Sequence, residues 1–232
     1  MKVAVLNFSG NVGKTTIARH LLAPRIPGSS VIAVESINSD GSQDEAIRGK
    51  QYAELSQALL VADNGVVVDV GASNIEEFMA QMHQYQGSHE DFDYFVVPTV
   101  PAIKQQRDTL STIDALAAQG VPAKKIRLLF NLVEADDVVS RTFSSLFDYH
   151  AAEKSFTLRD DAVIHSNDIY AKLSGPDGDI GKILADDADY KAMIKGSKNT
   201  EEKAHFATLL GIKRLAGGVQ SELDQVFKTL FK

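Results

Sequence analysis

The sequence predicts an α/β fold: a three-layer sandwich with a mainly parallel central sheet, helices on both faces and a mainly helical C-terminal part. Three observations carry that expectation. Short apolar runs rich in Val, Ile and Leu alternate with longer stretches of helical periodicity. Such runs lack the polar alternation of a half-exposed sheet, so they suit strands covered on both faces, as in parallel sheets. A glycine-containing turn separates the first run from the first helix. Finally, 232 residues with 44% hydrophobic and 24% charged composition can bury one large core.

The elements follow in order. Val3–Asn7 reads as a buried strand, then a glycine turn, then a helix from Lys14 to Ala23. Pro24–Ser29 is a Pro/Gly-rich connection to a second strand at Ser30–Val34. Gln43–Ala62 reads as helical, Gly65–Val70 as the third strand and Ile75–Gln84 as a helix. Tyr94–Val97 is the fourth strand, followed by a helix over Ile103–Gln119. Ile126–Leu132 is the fifth strand, with a helix through Ser140–Tyr149. Ser155–Ile164 holds a candidate sixth strand, weakened by Arg159-Asp160-Asp161. From Asn167 onward no strand pattern stands out. Val219, Leu223, Val226, Phe227, Leu230 and Phe231 recur at helical spacing, which predicts a helix packed on the sheet; a membrane- or partner-docking stripe is the sharper alternative. No linker divides the chain, so a single domain is expected, with a core over about 1–165 and a helical part over about 166–232.

Composition narrows the function classes. No apolar run approaches eighteen residues, so no spanning helix is expected. The N-terminal apolar stretch is too short for a signal peptide. The chain has no cysteine, which removes disulfides and Cys-ligated metals and fits a cytoplasmic setting. The six histidines show no metal spacing. Net charge is −7, but from Lys191 to Lys232 eight Lys/Arg face four Asp/Glu, so this tail carries +4 and the remainder −11. A basic tail on an acidic body suits contact with DNA or an anionic surface; a solvated helical face is the plain alternative.

The strongest signal is Phe8-Ser9-Gly10-Asn11-Val12-Gly13-Lys14-Thr15-Thr16, between a strand and a helix. That context is what a phosphate-binding loop requires. Glycines let the backbone bend so that its N–H groups point inward, and the helix N-terminus favours an anion. Gly10, Asn11, Val12, Gly13, Lys14, Thr15 and Thr16 are thus candidate nucleotide contacts. Lys14 suits the β- and γ-phosphates, Thr15 a magnesium ion, and Thr16 the α-phosphate.

Three further stretches support the loop. Val66-Val67-Val68-Asp69 is an apolar strand ending in an acid, placed to hold magnesium with Thr15. Gly71 follows where a loop can approach the γ-phosphate. Val31–Val34 ends in Glu35, with Asp40-Gly41 beyond. Either Glu35 or Asp40 could orient or deprotonate an attacking water; a backbone-paired Glu35 and a plain Asp-Gly turn are the equal alternative. Asn131 ends the fifth strand, and its amide can both donate to and accept from an adenine edge. Pro98 and Pro101 mark an exposed loop at the same edge. Lys104 and Arg107, after the fourth strand, are solvated helix residues or a second cation for the site.

The loop departs from the common pattern, because Phe8 stands where a glycine precedes the lysine by six residues. In this respect the chain resembles the ParA/MinD family of deviant P-loop ATPases, whose loop reads KGGxGKTT. Gly10, Gly13, Lys14, Thr15 and Thr16 match; Asn11 replaces a glycine and Ser9 replaces the signature lysine. The resemblance covers about the first 165 residues. It implies an ATPase using ATP and Mg²⁺, an ATP-sandwiched homodimer, and conversion of nucleotide state into binding of DNA, membrane or partner. The stretch through Glu35-Ser36-Ile37-Asn38 is similar to plasmid-stability members, which implies plasmid partition, a part in conjugative transfer and plasmid-encoded partners. Ser9 cannot supply the signature lysine's charge, which implies slow hydrolysis without a partner. The family's second-strand motif has paired aspartates; here those positions are Glu35 and Ile37. Two alternatives stay open: a nucleotide switch that does not hydrolyse, and a P-loop kinase or synthetase acting on a small molecule.

Overall fold

The computed structural model describes residues 1–34, 45–173 and 178–232, without the side chains of 45–50. Six strands form the sheet: β1 (Lys2–Val5), β2 (Ser30–Val34), β3 (Val66–Val70), β4 (Tyr94–Thr99), β5 (Ile126–Val133) and β6 (Val163–His165). All pair in parallel, in the order β2-β3-β1-β4-β5-β6. The helices are α1 (Lys14–Thr16), α2 (Glu45–Val61), α3 (Ile75–Gln84), α4 (Ile103–Ala118), α5 (Val139–Thr142), α6 (Ser144–Glu153), α7 (Ile169–Lys172), α8 (Ile180–Ala185), α9 (Tyr190–Gly196) and α10 (Thr200–Leu230). The expected three-layer α/β fold with a helical C-terminal part is what the chain adopts.

Burial explains the strand pattern. Val3 to Val5 and every residue of β3 are buried, as central parallel strands require. The edge strand β2 is largely exposed. One core is built around Phe92, Phe95, Phe130 and Phe143, all nearly inaccessible. Phe92 and Phe95 meet with centroids 5.0 Å apart, Phe130 and Phe143 at 4.7 Å.

Several boundaries differ from expectation, each for a local reason. The first helix continues beyond α1 with wider turns over Ile17–Leu22 and a tight turn over Ala23–Arg25. Pro24 lacks an N–H to continue the ladder. The Arg25 guanidinium instead donates to the carbonyls of His20 (2.7 Å) and Leu21 (3.1 Å). The helix expected through Ser140–Tyr149 breaks at Phe143, whose ring is fully buried against Phe130. The sixth strand is confined to Val163–His165; upstream, Thr157 makes only an isolated bridge to Arg127.

Met1–Ser166 together with Val226–Lys232 forms one compact unit, and Asn167–Gln225 a second. In the first, Phe231 lies on Tyr94 at 4.8 Å, and Val226 and Leu230 are buried. The apolar stripe of α10 thus packs at these positions. In the second, Asp179 caps α8 and Asp189 caps α9, accepting from Lys182 N (3.1 Å) and Ala192 N (3.0 Å).

Candidate phosphate-loop site

The register of the central strands assembles the site. Val5 of β1 lies beside Asp69 of β3 on one side and Val96 of β4 on the other. The loop leaving β1 therefore runs between the C-terminal ends of two strands, where parallel α/β sheets bind ligands. Leu6 N still bonds Val96 O at 3.1 Å, so the chain turns away only at Asn7.

The loop's backbone is set by two residues with positive φ, Asn11 at 57° and Gly13 at 83°. Gly13 caps α1, and a Cβ there would collide with the Asn131 amide nitrogen. Glycine is needed at 13 for both its conformation and its lack of side chain. At Gly10, by contrast, a Cβ would enter open space. Gly10 and Asn11 are exposed, Val12 is buried, and Thr16 is half-buried.

Lys14 is buried, and its Nζ donates to Ser9 O (2.6 Å) and Asn7 O (3.2 Å). Its ammonium thus lies inside the curve of its own loop. Burial pushes its pKa below the ordinary lysine value, and the nearby Asp69 charge pulls partly the other way. Two of its three donors are committed to carbonyls, so one remains for a ligand.

Thr15 Oγ1 donates to Asp69 Oδ2 at 2.6 Å. The other carboxylate oxygen, Asp69 Oδ1, is buried with no hydrogen-bond partner. A buried charged oxygen left unpaired is costly. A hard cation such as magnesium takes oxygen ligands, and this hydroxyl–carboxylate pair with an orphaned oxygen fits one. Among the described residues no cluster of three His, Cys, Asp or Glu offers another metal site. Gly71 follows β3, its N–H bonded to Val34 O at 3.1 Å, with Asn74 Nδ2 on the same carbonyl at 2.9 Å. Glu35 and Asp40, the two candidates for positioning water, lie outside the described residues.

Asn131 is brought to the loop from β5. Its buried amide donates to Val12 O at 3.0 Å, so it braces the turn around Gly13. Next to it Leu132 takes φ 54° at a register shift in the β5–β6 pairing and is 40% exposed. Lys104 and Arg107 sit on exposed positions of α4.

Sequence reasoning missed the loop's main anchor. Asn7 is fully buried. Its Nδ2 donates to Pro98 O and Thr109 Oγ1, both at 2.8 Å, and its Oδ1 accepts from Ser9 N at 2.7 Å. Phe8 N donates to Thr112 Oγ1 at 3.0 Å, and Ser9 Oγ donates to Asp108 Oδ2. Three consecutive loop residues are thus fastened to one face of α4. An asparagine ending an apolar strand was the available signal, but its partners lie about a hundred positions away.

No protein-family model matches the chain, and no curated protein matches it by sequence. Solved structures do. A chain of the MinC:MinD cell division protein complex of Aquifex aeolicus superposes with a TM-score of 0.50 at 13% identity, covering 74% of this chain and 83% of that one. The pNOB8 ParA structure superposes with a TM-score of 0.50 at 11% identity over 98% of both chains. At such identities the likeness shows the fold alone, and the fold is that of ParA/MinD-type P-loop proteins.

Proposed function

We propose that this chain binds a nucleoside triphosphate, ATP with Mg²⁺, and acts as a ParA-like switch whose dimerisation depends on nucleotide state. The observation that carries the reading is the buried Lys14 ammonium held inside the loop beside the Thr15–Asp69 pair, whose free carboxylate oxygen has no partner. Lys14 turns its remaining donor to the β- and γ-phosphates. Thr15 and Asp69 hold the cation, which when bound neutralises phosphate charge. Asn11, Val12, Gly13 and Thr16 complete the cradle, and Gly71 faces the γ-phosphate. Asn131 lines the base side of the loop. Glu35 or Asp40 orients the attacking water.

The same reading makes the protein a cytoplasmic ATPase that is slow without a partner. The N-terminal sequence through Glu35-Ser36-Ile37-Asn38 resembles the plasmid stability protein StbB. We accordingly assign it to plasmid partition or stability and to conjugative transfer, with plasmid-encoded partners. The basic segment Lys191–Lys232 is the surface we assign to non-specific DNA; a lipid surface is the weaker candidate. The test is light scattering with magnesium and a non-hydrolysable ATP analogue, paired with phosphate release. Dimers that form with the analogue but not with ADP are expected. A monomer under every nucleotide condition would contradict the switch.

Ser9 favours a second reading, in which the chain binds nucleotide without turning it over. Its hydroxyl faces Asp108 and supplies no positive charge. In the first reading Ser9→Lys raises phosphate release by about tenfold or more, and partner or DNA stimulates the unaltered chain. No release from either form under any addition would favour the second.

A further inference from the structure

We propose that the Ser9 hydroxyl is a two-position gate that donates either to Asp108 of α4 or to the terminal phosphate, so that Asp108 tunes the preference for triphosphate over diphosphate. The proposal rests on the phosphate-loop reading above and concerns the regulation of that site.

Ser9 is 4% exposed and fixed on both sides of its peptide. Its N–H is held by Asn7 Oδ1, and its carbonyl accepts from Lys14 Nζ at 2.6 Å. The Ser9 backbone is therefore one hydrogen bond from the ammonium proposed to meet phosphate. A serine hydroxyl has a single proton to donate, and here it goes to Asp108 Oδ2. Asp108 is in turn placed by its helix: its carbonyl accepts from Thr112 Oγ1 at 2.7 Å, and the same Thr112 oxygen accepts from Phe8 N.

Two consequences follow when a triphosphate enters. The γ-phosphate brings negative charge toward a carboxylate already beside the loop, and like charges at short range repel. It also competes for the one Ser9 proton, and if it takes it, Asp108 loses its donor. A diphosphate carries no γ-phosphate and meets neither penalty. Asp108 thus selects against the triphosphate unless something neutralises it, and a Lys or Arg of a bound partner supplies the matching charge. Because residues 7, 8 and 9 are all fastened to α4, the change is felt by that helix, whose outer face carries the exposed Lys104 and Arg107.

The test is calorimetry of ADP and of a non-hydrolysable ATP analogue, each with magnesium, on the full chain and on Asp108→Asn. An amide keeps an acceptor for Ser9 and removes the charge. Affinity for the triphosphate analogue is expected to rise about fivefold, with ADP affinity changed by less than about twofold, and the gain should shrink at high salt. Ser9→Ala provides a second variant: with no proton to switch and the carboxylate still present, its preference for the triphosphate should fall below that of the unaltered chain. Unchanged affinity ratios in both variants, with ADP still bound, would overturn the gate and leave the phosphate-loop reading standing. No uptake of either nucleotide by the unaltered chain would overturn both.

Discussion

Helix α4 carries two carboxylates that accept a hydrogen bond from a hydroxyl, and they live in opposite surroundings. Asp108 accepts from Ser9, a buried residue of the phosphate loop. Asp114 accepts from Tyr149 of α6, at the surface. The pairing is chemically alike, but its consequence depends on what else reaches the carboxylate. Asp114 is otherwise exposed, so the pair ties two helices together and little more. At Asp108 the other neighbour is the loop proposed to take an anion, so the same bond is expected to act on ligand choice.

The contrast can be broken most forcefully at Asn7, which anchors the loop to α4. Asn7→Leu strands the Ser9 N–H and Pro98 carbonyl without partners, and should cost about 3 kcal/mol of folding stability in denaturant titrations. Gly13→Ala comes next. A φ of 83° and a clash with Asn131 predict a loss of about 2 kcal/mol and a nucleotide affinity at least about tenfold weaker. Asp108→Asn should leave melting temperature within about 3 °C while changing the ATP-to-ADP preference. Tyr149→Phe should leave nucleotide affinity unchanged and, because the pair is exposed and screened by solvent, lower stability at neutral pH by less than about 1 kcal/mol.

Tyr149 does leave a signature in pH. Its hydrogen bond to Asp114 is the main cause holding the phenol at about 12, above its ordinary 10.0. A raised folded-state pKa means that the contribution is fully present below the unfolded value near 10 and is lost as pH rises through about 12. Denaturation of the unaltered chain should weaken over that window more steeply than that of Tyr149→Phe. Equal slopes would show that the surface pair contributes nothing, which would sharpen the contrast with Asp108.

The strands and the loop were legible in the sequence because their signals are local. Five strands could be placed from apolar runs, and Ile75–Gln84 was delimited as a helix to the residue. The glycine spacing around Lys14 identified the loop without any tertiary information. Asp69 was found because an acid ending an apolar strand is visible beside such a loop. What stayed hidden depends on distant residues meeting. The Asn7–Thr109 and Ser9–Asp108 bonds join positions 102 and 99 apart, and no periodicity encodes them. Asn131 is a further case: its residue type suggests a base contact, and its bond to Val12 O, 119 positions away, adds a bracing role that no local pattern encodes. The weak sixth strand reflects an edge that pairs over only three residues.

The central claim is capture of a triphosphate by Lys14 and the loop around it. It is tested most directly by calorimetric titration of Mg-ATP into the full chain and into Lys14→Ala. Saturable one-to-one uptake, weakened by about a hundredfold or more in the variant, is the predicted result. Equal affinity in the two proteins, or no heat from the unaltered chain with either Mg-ATP or Mg-GTP, would contradict it.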